Sequence, residues 1–541
     1  MLDIRKILSA PGARQTVTKT APSPFLPHAD VARTEKALGP ARAGRAKNDA
    51  DSTCLGGFLA LDHISEDVQA VVDGTKTLTL DRWLDRLVAW AGSWQMLLFT
   101  FILVLSWAFL GIPFGNATDW QVAISDVQAL ACYVLDSLLM RQQLNAYDHE
   151  IGVAAILQSR SVSIRRMIGT LHASKTTAAA RESNAQLLEP VHKDTYRRSR
   201  LDSTIHALCQ LFGSLPSLLL FWVCIIVWLS FGPYCSWSAE WQLYINSATS
   251  ALMLLVFMLL ACVQEQHRCE MKVLSTRVCT LDSKLEVQLR IATRDNVPNE
   301  VAAIYPCPVS LLERAISYYA DLVGTLFGVS LLILVFIAWV AIGPALQFNS
   351  NWWLVIGTYA GLIGLHDGFV LHNVRHQLDR NSRLALAKVN ADDTELLAAA
   401  GVPHCEPFAV QHGDVEGGRP RGQSQQAYSR INIMLSSHLV RLMSHPLLVV
   451  AGIVFIAGSV AAATALHWSL TGQLLCNVPP SVVETFIMMA LITRETADAK
   501  AEKELYNEFA GSRDLLLTWV LTQRDGSDVD SRSGPIISAL E

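Results

Sequence analysis

The sequence predicts an all-α polytopic membrane protein, with eight transmembrane helices as four repeated helical hairpins and long cytosolic helical arms. The 541 residues are 51% hydrophobic and 17% charged, with a mean hydropathy of +0.30, which is too apolar for an ordinary soluble protein. A long apolar stretch occurs four times, followed each time by a short gap and a second apolar stretch. The gaps contain no Lys or Arg, whereas the longer connections are rich in both.

The first helix of each pair is predicted from a stretch without Asp, Glu, Lys or Arg. Each stretch has about 20 residues, enough to cross ~30 Å of hydrocarbon. The four stretches are Trp94–Ile112, Leu211–Phe231, Leu322–Ile342 and Pro446–Leu466.

The second helix of each pair is equally long but carries polar residues. The four stretches are Trp120–Met140, Trp241–Val263, Trp352–Leu371 and Leu474–Ile492. Helical spacing of apolar residues continues beyond Met140, at Leu144, Tyr147 and Ile151. The second helices are therefore expected to extend into the cytosol as arms.

The distribution of basic residues predicts the topology. Lys and Arg lie in the long connections and the terminal segments, and the short gaps and the spans contain none. The positive-inside rule places the long connections and both termini in the cytosol. The N-terminus lacks the apolar core of a signal peptide, so the first span is expected to be its own insertion signal. The eleven cysteines are scattered without a CxxC pair, and no disulfide framework is expected.

Domain boundaries follow from the repeat. Residues 1–77 are rich in Ala, Pro, Thr and charge and are expected to be a disordered cytosolic region. The four hairpins with their arms occupy 78–200, 201–310, 311–430 and 431–524, and 525–541 form a cytosolic tail. Leu78–Trp90 has one apolar helical face, which predicts an interfacial helix leading into the first span.

A stripe of small and polar residues appears when the second helices are aligned on Trp120, Trp241, Trp352 and Gly472. Positions 5, 9, 12 and 16 residues further on share one helical face. They are, in order, Ser125, Asn246, Gly357 and Asn477; Ala129, Ser250, Gly361 and Ser481; Cys132, Met253, Gly364 and Glu484; and Asp136, Phe257, Gly368 and Met488. Small residues also let helices pack closely in lipid without any transport role, and that interpretation stays open.

Three acids fall deep within these helices. Asp136, Asp367 and Glu484 lie about 18–24 Å below the outer tryptophan level, taking 1.5 Å per residue. A charge at mid-membrane costs at least ~2.5 kcal/mol, and no spanning segment contains Lys or Arg to neutralise it. The acids therefore imply a cation or, alternatively, protonated and hydrogen-bonded carboxyl groups.

The residues near these acids predict which cation they would bind. Carboxylate, imidazole and sulfur donors together favour a first-row transition metal over calcium or magnesium. The candidate metal-contacting residues are Asp136, Asp367, Glu484, Asp126, Asn246, Asn477, His366 and Cys132. Asp126, Asn246 and Asn477 form a higher layer, where an entering ion would lose water.

Pro479 and Pro480 mark the last polar helix. Two prolines remove two backbone donors and release the carbonyls of Leu475 and Cys476. Either the helix is broken there and lines a cavity, or the helix starts late, with Leu474–Val478 as a loop.

The polar helices resemble those of the fungal low-affinity iron permease family. The matching stretches are SDVQALACYVLDSLLMRQQL, GPYCSWSAEWQLYINSATS, NWWLVIGTYAGLIGLHDGFVL and GQLLCNVPPSVVETFIMMALI. The resemblance implies a multi-pass plasma-membrane permease that carries ferrous iron inward, with copper and zinc as competing substrates. By the same resemblance, the ion pathway contains Asp126, Asp136, Asn246, Asp367 and Glu484. The segment QEQHRCEMK after Val263 departs from the Asn-rich run of bacterial relatives, so the resemblance assigns no role to Gln264.

Two other classes of function remain as alternatives. One is a non-transporting scaffold or receptor that binds partners through its arms. The other is a haem-binding membrane oxidoreductase that would use the histidines His206, His366, His372, His438 and His445, of which only His366 lies well inside a span. We expect a transport protein that is not an enzyme and has no tightly bound cofactor. Its expected partners are metal ions and the lipid bilayer, and not nucleic acid. The sequence leaves a homo-oligomer, proton coupling and metal selectivity open.

Overall fold

The computed structural model describes residue 12 and residues 14–23, 79–115, 117–174, 200–348, 350–402 and 442–532. Within these ranges the chain forms eleven helices and one two-stranded sheet. Most of the predicted disordered region 1–77 and the end of the predicted tail 525–541 lie outside the described residues.

The helices follow one order three times: a short helix, an apolar helix and a long helix. The first set is α1 (Thr79–Ala91), α2 (Trp94–Phe114) and α3 (Thr118–Ser174). The second set is α4 (Arg200–Phe212), α5 (Leu215–Phe231) and α6 (Ala239–Thr293). The third set is α7 (Leu311–Val323), α8 (Leu326–Ile342) and α9 (Ser350–Ala400). The chain ends on the apolar helix α10 (Pro446–Ala465) and the long helix α11 (Leu470–Arg532).

Serine caps separate the lead-in helices from the apolar helices that follow. Ser93 and Ser214 adopt extended backbone, and their hydroxyl oxygens accept hydrogen bonds from the amides of Met96 and Ser217. The chain bends by 49° between α4 and α5 and by 65° between α7 and α8. The lead-in helices α4 and α7 therefore meet their apolar helices at an angle.

Of the helices that the structure describes, five are long and apolar enough to cross a membrane, or seven if each bent pair is one span; the five are α2, α3, α6, α10 and α11. This agrees with a helical membrane protein of several spans, and the apolar helices leave large side chains such as Ile112 and Leu219 exposed. Helix α9 is not among them. Its predicted span contains four glycines together with His366 and Asp367, which lower its hydropathy.

Stacked tryptophans join the apolar helix to the long helix in each of the first three sets. Ring centroids lie 4.5 Å apart for Trp107–Trp120, 3.7 Å for Trp228–Trp241 and 4.1 Å for Trp339–Trp352. In the first and third pairs, each indole N–H also donates to the backbone carbonyl of the other tryptophan. Each stacked pair sets the axial position of the long helix relative to the apolar helix before it.

The outer turns repeat as well. Three of them contain two consecutive residues with left-handed backbone, and the second residue donates its N–H to a carbonyl five positions earlier. The donor and acceptor pairs are Trp237 and Gly232, Phe348 and Gly343, and Trp468 and Ala463. Residues that lie the same number of positions beyond these turns are therefore at comparable depth on α6, α9 and α11.

The four long helices pack against one another and form most of the buried interior. They continue without interruption beyond the predicted spans as long arms, as predicted, while the cytosolic location of the arms stays a prediction. Neither expectation for the proline pair holds, since α11 begins at Leu470 and runs through Pro479 and Pro480. Close to the prolines, the Cys476 thiol donates to the carbonyl of Ser459 at 3.4 Å and so joins α11 to α10.

The expectation of disorder does not hold for residues 14–23, which lie within 1–77. Strand β1 (Val17–Lys19) pairs antiparallel with β2 (Ala302–Ile304). The amide of Ala21 then donates to Ser159 Oγ on α3 at 2.9 Å. Composition misses this contact because the partner strand lies almost three hundred residues further along the chain.

A buried ionic network links all four arms. Arg160 on α3 contacts Asp282 on α6 at 3.2 Å, Arg513 on α11 contacts the same carboxylate at 2.8 Å, and Arg513 reaches Asp393 on α9 at 2.7 Å. Burial raises the pKa of Asp393 to about 7 although Arg513 opposes the shift. Each arginine is therefore a required counter-charge in the arm bundle.

We expect Arg513→Met to destabilise the protein strongly, because it leaves two buried carboxylates without their shared cation. Breaking a buried ion pair typically costs about 3–5 kcal/mol. Thermal unfolding of the detergent-purified protein measures the loss. The control is Arg165→Met on the exposed face of α3, where an exposed pair contributes at most about 1 kcal/mol. Equal melting temperatures for the two variants would contradict this assignment.

Candidate cation pathway

The aligned stripe faces inward between the long helices. A Cβ added to Gly364 on α9 would lie 2.8 Å from Glu484 Oε1 on α11, and one added to Gly368 would lie 3.3 Å from Met488 Cε. Gly364 and Glu484 lie twelve residues beyond Trp352 and Gly472, and Gly368 and Met488 lie sixteen residues beyond the same two positions. Positions aligned in sequence therefore meet at one depth.

Helices α3 and α6 join the same arrangement. The Gln128 amide on α3 donates to Cys132 Sγ at 3.4 Å and to Met253 Sδ on α6 at 3.3 Å. Thr249 on α6 exchanges a 3.3 Å hydrogen bond with Ser481 on α11. Polar atoms from all four long helices thus face a common interior.

The three deep acids lie in this interior. Asp136 and Glu484 are each 1% exposed and Asp367 is 2% exposed. Asp136 lies close enough to Asp367 and Glu484 for all three carboxyl groups to interact electrostatically. Both oxygens of Asp136 and Oε1 of Glu484 have no hydrogen-bond partner among the described residues. Buried polar atoms are normally satisfied, so these oxygens are available to a ligand.

Asp367 differs from the other two acids. The Tyr319 hydroxyl, on the lead-in helix α7, donates to Asp367 Oδ1 at 2.6 Å. The Tyr319 ring also meets the ring of His366 edge-on at 4.9 Å. Sequence reasoning missed Tyr319, because a lead-in helix is assigned to the membrane surface and nothing in its sequence places a side chain against α9.

The predicted upper layer is only partly assembled. Asp126 is buried, and a Cβ on Gly357 of α9 would lie 2.9 Å from its Oδ1. Asn246 is buried, and Asn477 is half-buried with its amide oxygen unpartnered. Among the described residues, neither Asn246 nor Asn477 forms a hydrogen bond with Asp126.

The candidate residues form a stripe and not a closed coordination sphere. Among the described residues, no three His, Cys, Asp or Glu side chains are placed to hold one metal ion together. Cys132 and the other eight described cysteines are free thiols. The predicted metal contacts of the eight candidate residues stay a prediction.

Comparison with known proteins supplies independent information. The family model described as low affinity iron permease matches residues 201–300 and 433–511. The low-affinity iron/zinc ion transport protein of Schizosaccharomyces pombe is 32% identical over 401 residues, 73% of this chain and 66% of that protein, just under two thirds of its length. The low-affinity Fe(2+) transport protein of Saccharomyces cerevisiae is 28% identical over 471 residues, 81% of this chain and 83% of that protein. No solved structure matches.

We expect Tyr319→Phe to destabilise the protein by about 1–3 kcal/mol, because it removes a hydrogen bond and leaves a buried carboxyl oxygen without its donor. Tyr318→Phe, one residue earlier on the same helix, is the matched control. Thermal unfolding of both variants measures the difference. If the two melting temperatures coincide, the contact between Tyr319 and Asp367 does not contribute.

Proposed function

The chain belongs to the low-affinity iron permease family, and on that premise we propose that it carries ferrous iron across the plasma membrane into the cytosol. One observation carries the proposal: Asp136, Asp367 and Glu484 converge between the four long helices, and Asp136 has no partner among the described residues for either carboxyl oxygen. Zinc and copper are further proposed substrates. The iron/zinc ion transport protein of Schizosaccharomyces pombe supports zinc, and the nearby sulfur atoms of Cys132 and Met253 support copper.

We propose eight spans in four hairpins, with both termini in the cytosol. The three tryptophan pairs and the three matching outer turns support a repeated unit. Helix α9 supplies the remaining span in this proposal. Its low hydropathy is tolerated because Gly357, Gly364 and Gly368 face other helices and Asp367 is buried.

The ion path is proposed to run along the stripe. An entering ion would first meet Asp126 and then the carboxyl oxygens of Glu484 and Asp136, which replace part of its hydration shell. Conduction requires binding that is weak enough for release. A stripe that supplies few fixed ligands at each level meets this requirement, and it agrees with the lack of a three-residue metal cluster among the described side chains.

The membrane potential is sufficient to drive entry. A divalent ion moving through an inside-negative potential of 100 mV gains about 4.6 kcal/mol. The proposal therefore needs no nucleotide hydrolysis. A non-transporting scaffold and a haem oxidoreductase are less well supported, since both named relatives are transport proteins.

We expect Asp136→Asn and Glu484→Gln each to reduce ferrous iron uptake at least ~tenfold, because each removes a charge that offsets dehydration of the ion. The measurement is uptake of radiolabelled ferrous iron in cells that lack other iron transporters, normalised to surface expression. Asp514→Asn on the cytosolic arm is the control. Wild-type uptake by both variants would refute the acidic pathway.

We expect Gly364→Ala to lower uptake, whereas Gly458→Ala on α10, outside the stripe, leaves it unchanged. A Cβ at Gly364 displaces the Glu484 carboxylate, while one at Gly458 meets nothing within 4 Å. Both changes favour the helix equally, so uptake per surface molecule isolates the contact. Equal uptake by the two variants would show that Glu484 has no required position.

A further inference from the structure

The aligned stripe continues towards the cytosol. Counting 23 residues from Trp120, Trp241, Trp352 and Gly472 gives one residue on each long helix. These four residues, here called the inner ring, are Gln143, Gln264, Arg375 and Glu495. They lie seven residues beyond the Asp136 layer on the same helical face, about 10 Å lower. All four line one cavity of about 650 Å³.

The two glutamines of the inner ring are buried without partners. Gln143 is 3% exposed and Gln264 is 5% exposed. Both amide atoms of Gln143 and the amide oxygen of Gln264 have no hydrogen-bond partner among the described residues. By contrast, the adjacent Gln142 donates to Glu265 at 3.0 Å and thereby joins α3 to α6. Unsatisfied buried amides are costly, so two of them facing one cavity indicate a ligand.

The other two members of the inner ring neutralise each other. Arg375 Nη2 lies 3.3 Å from Glu495 Oε2, and Arg375 Nε lies 3.0 Å from Asp379. Glu495 is 3% exposed and Arg375 is 8% exposed. The cavity therefore holds a carboxylate whose counter-charge is a protein side chain. Arg375 keeps Asp379 as a partner if another cation binds Glu495.

We propose that the inner ring is a second, cytosolic cation site, where a divalent ion takes the amide oxygens of Gln143 and Gln264 and displaces Arg375 from Glu495. The inference rests on the proposed function, because the ion arrives from the Asp136 layer directly above. Amide and carboxylate oxygens with water suit a hard divalent ion. The nearby guanidinium weakens binding by like-charge repulsion and so promotes release into the cytosol.

The test uses the full chain, purified in detergent and carrying Asp136→Asn with Glu484→Gln, so that the upper acids do not contribute. Mn²⁺ is titrated, and the free ion is quantified by its room-temperature EPR signal. Adding Gln143→Leu and Gln264→Leu is expected to weaken Mn²⁺ binding at least ~tenfold, since two oxygen ligands are lost. Adding Arg375→Gln is expected to tighten it at least ~tenfold, because a competing cation is removed.

Gln288→Leu on the α6 arm is the matched control and is expected to leave the titration unchanged. Size-exclusion profiles and circular dichroism establish which variants fold, and Glu495→Gln, expected to weaken binding, serves as a second variant. Unchanged Mn²⁺ affinity in the folded glutamine variants, or weaker affinity in Arg375→Gln, would overturn the proposal. The outcome is separable from the proposed function, because uptake by Asp136→Asn and Glu484→Gln tests the upper acids alone.

Discussion

A carboxylate removed from water needs a counter-charge or a proton, and the four long helices meet this constraint in two different ways. In the arms, Asp282 contacts both Arg160 and Arg513, so the protein supplies its own cations and the bundle is held together. In the stripe, Asp136 has only other acids as charged neighbours, and its oxygens are unpartnered among the described residues. In the arms the buried charges stabilise the fold, whereas the proposed function assigns the buried acids of the stripe to an ion.

The repeat gives four similar helices, but the stripe is not four-fold symmetric. At one level α9 contributes Gly364 and α11 contributes Glu484, so that one helix provides the space which the side chain of the other occupies. Two levels lower, the same pair of helices contributes Arg375 and Glu495, and the acid is now paired within the protein. In the proposed path, this divergence between similar helices places unpaired acids first and a paired acid at the proposed cytosolic end.

The sequence predicts those features that depend on local pattern. Charge-free stretches and the positions of Trp120, Trp241 and Trp352 predict the helices and their relative depth, because a regular helix converts residue counts into distance. It does not predict contacts between distant segments, such as the docking of Tyr319 against Asp367 or the pairing of Val17 with Ile304. The resemblance assigns no role to Gln264, because the segment around it departs from the bacterial pattern. The sequence nevertheless shows that Gln264 and Gln143 lie the same number of residues beyond Trp241 and Trp120. Pro479 and Pro480 mislead, because proline propensity is a local property, whereas α11 runs through both prolines and packs along α6 and α9.

The most direct test of a water-accessible path between the long helices is cysteine accessibility in an otherwise cysteine-free chain. Ser250 is 1% exposed and lies in the stripe, whereas Leu219 is 60% exposed on the lipid-facing side of α5. The account predicts that Ser250→Cys reacts with a water-soluble, cationic thiol reagent added from outside, and that Mn²⁺ slows the reaction. Leu219→Cys should react only with a lipid-soluble reagent. Failure of Ser250→Cys to react with the cationic reagent, with folding intact, would contradict a cation path along the stripe.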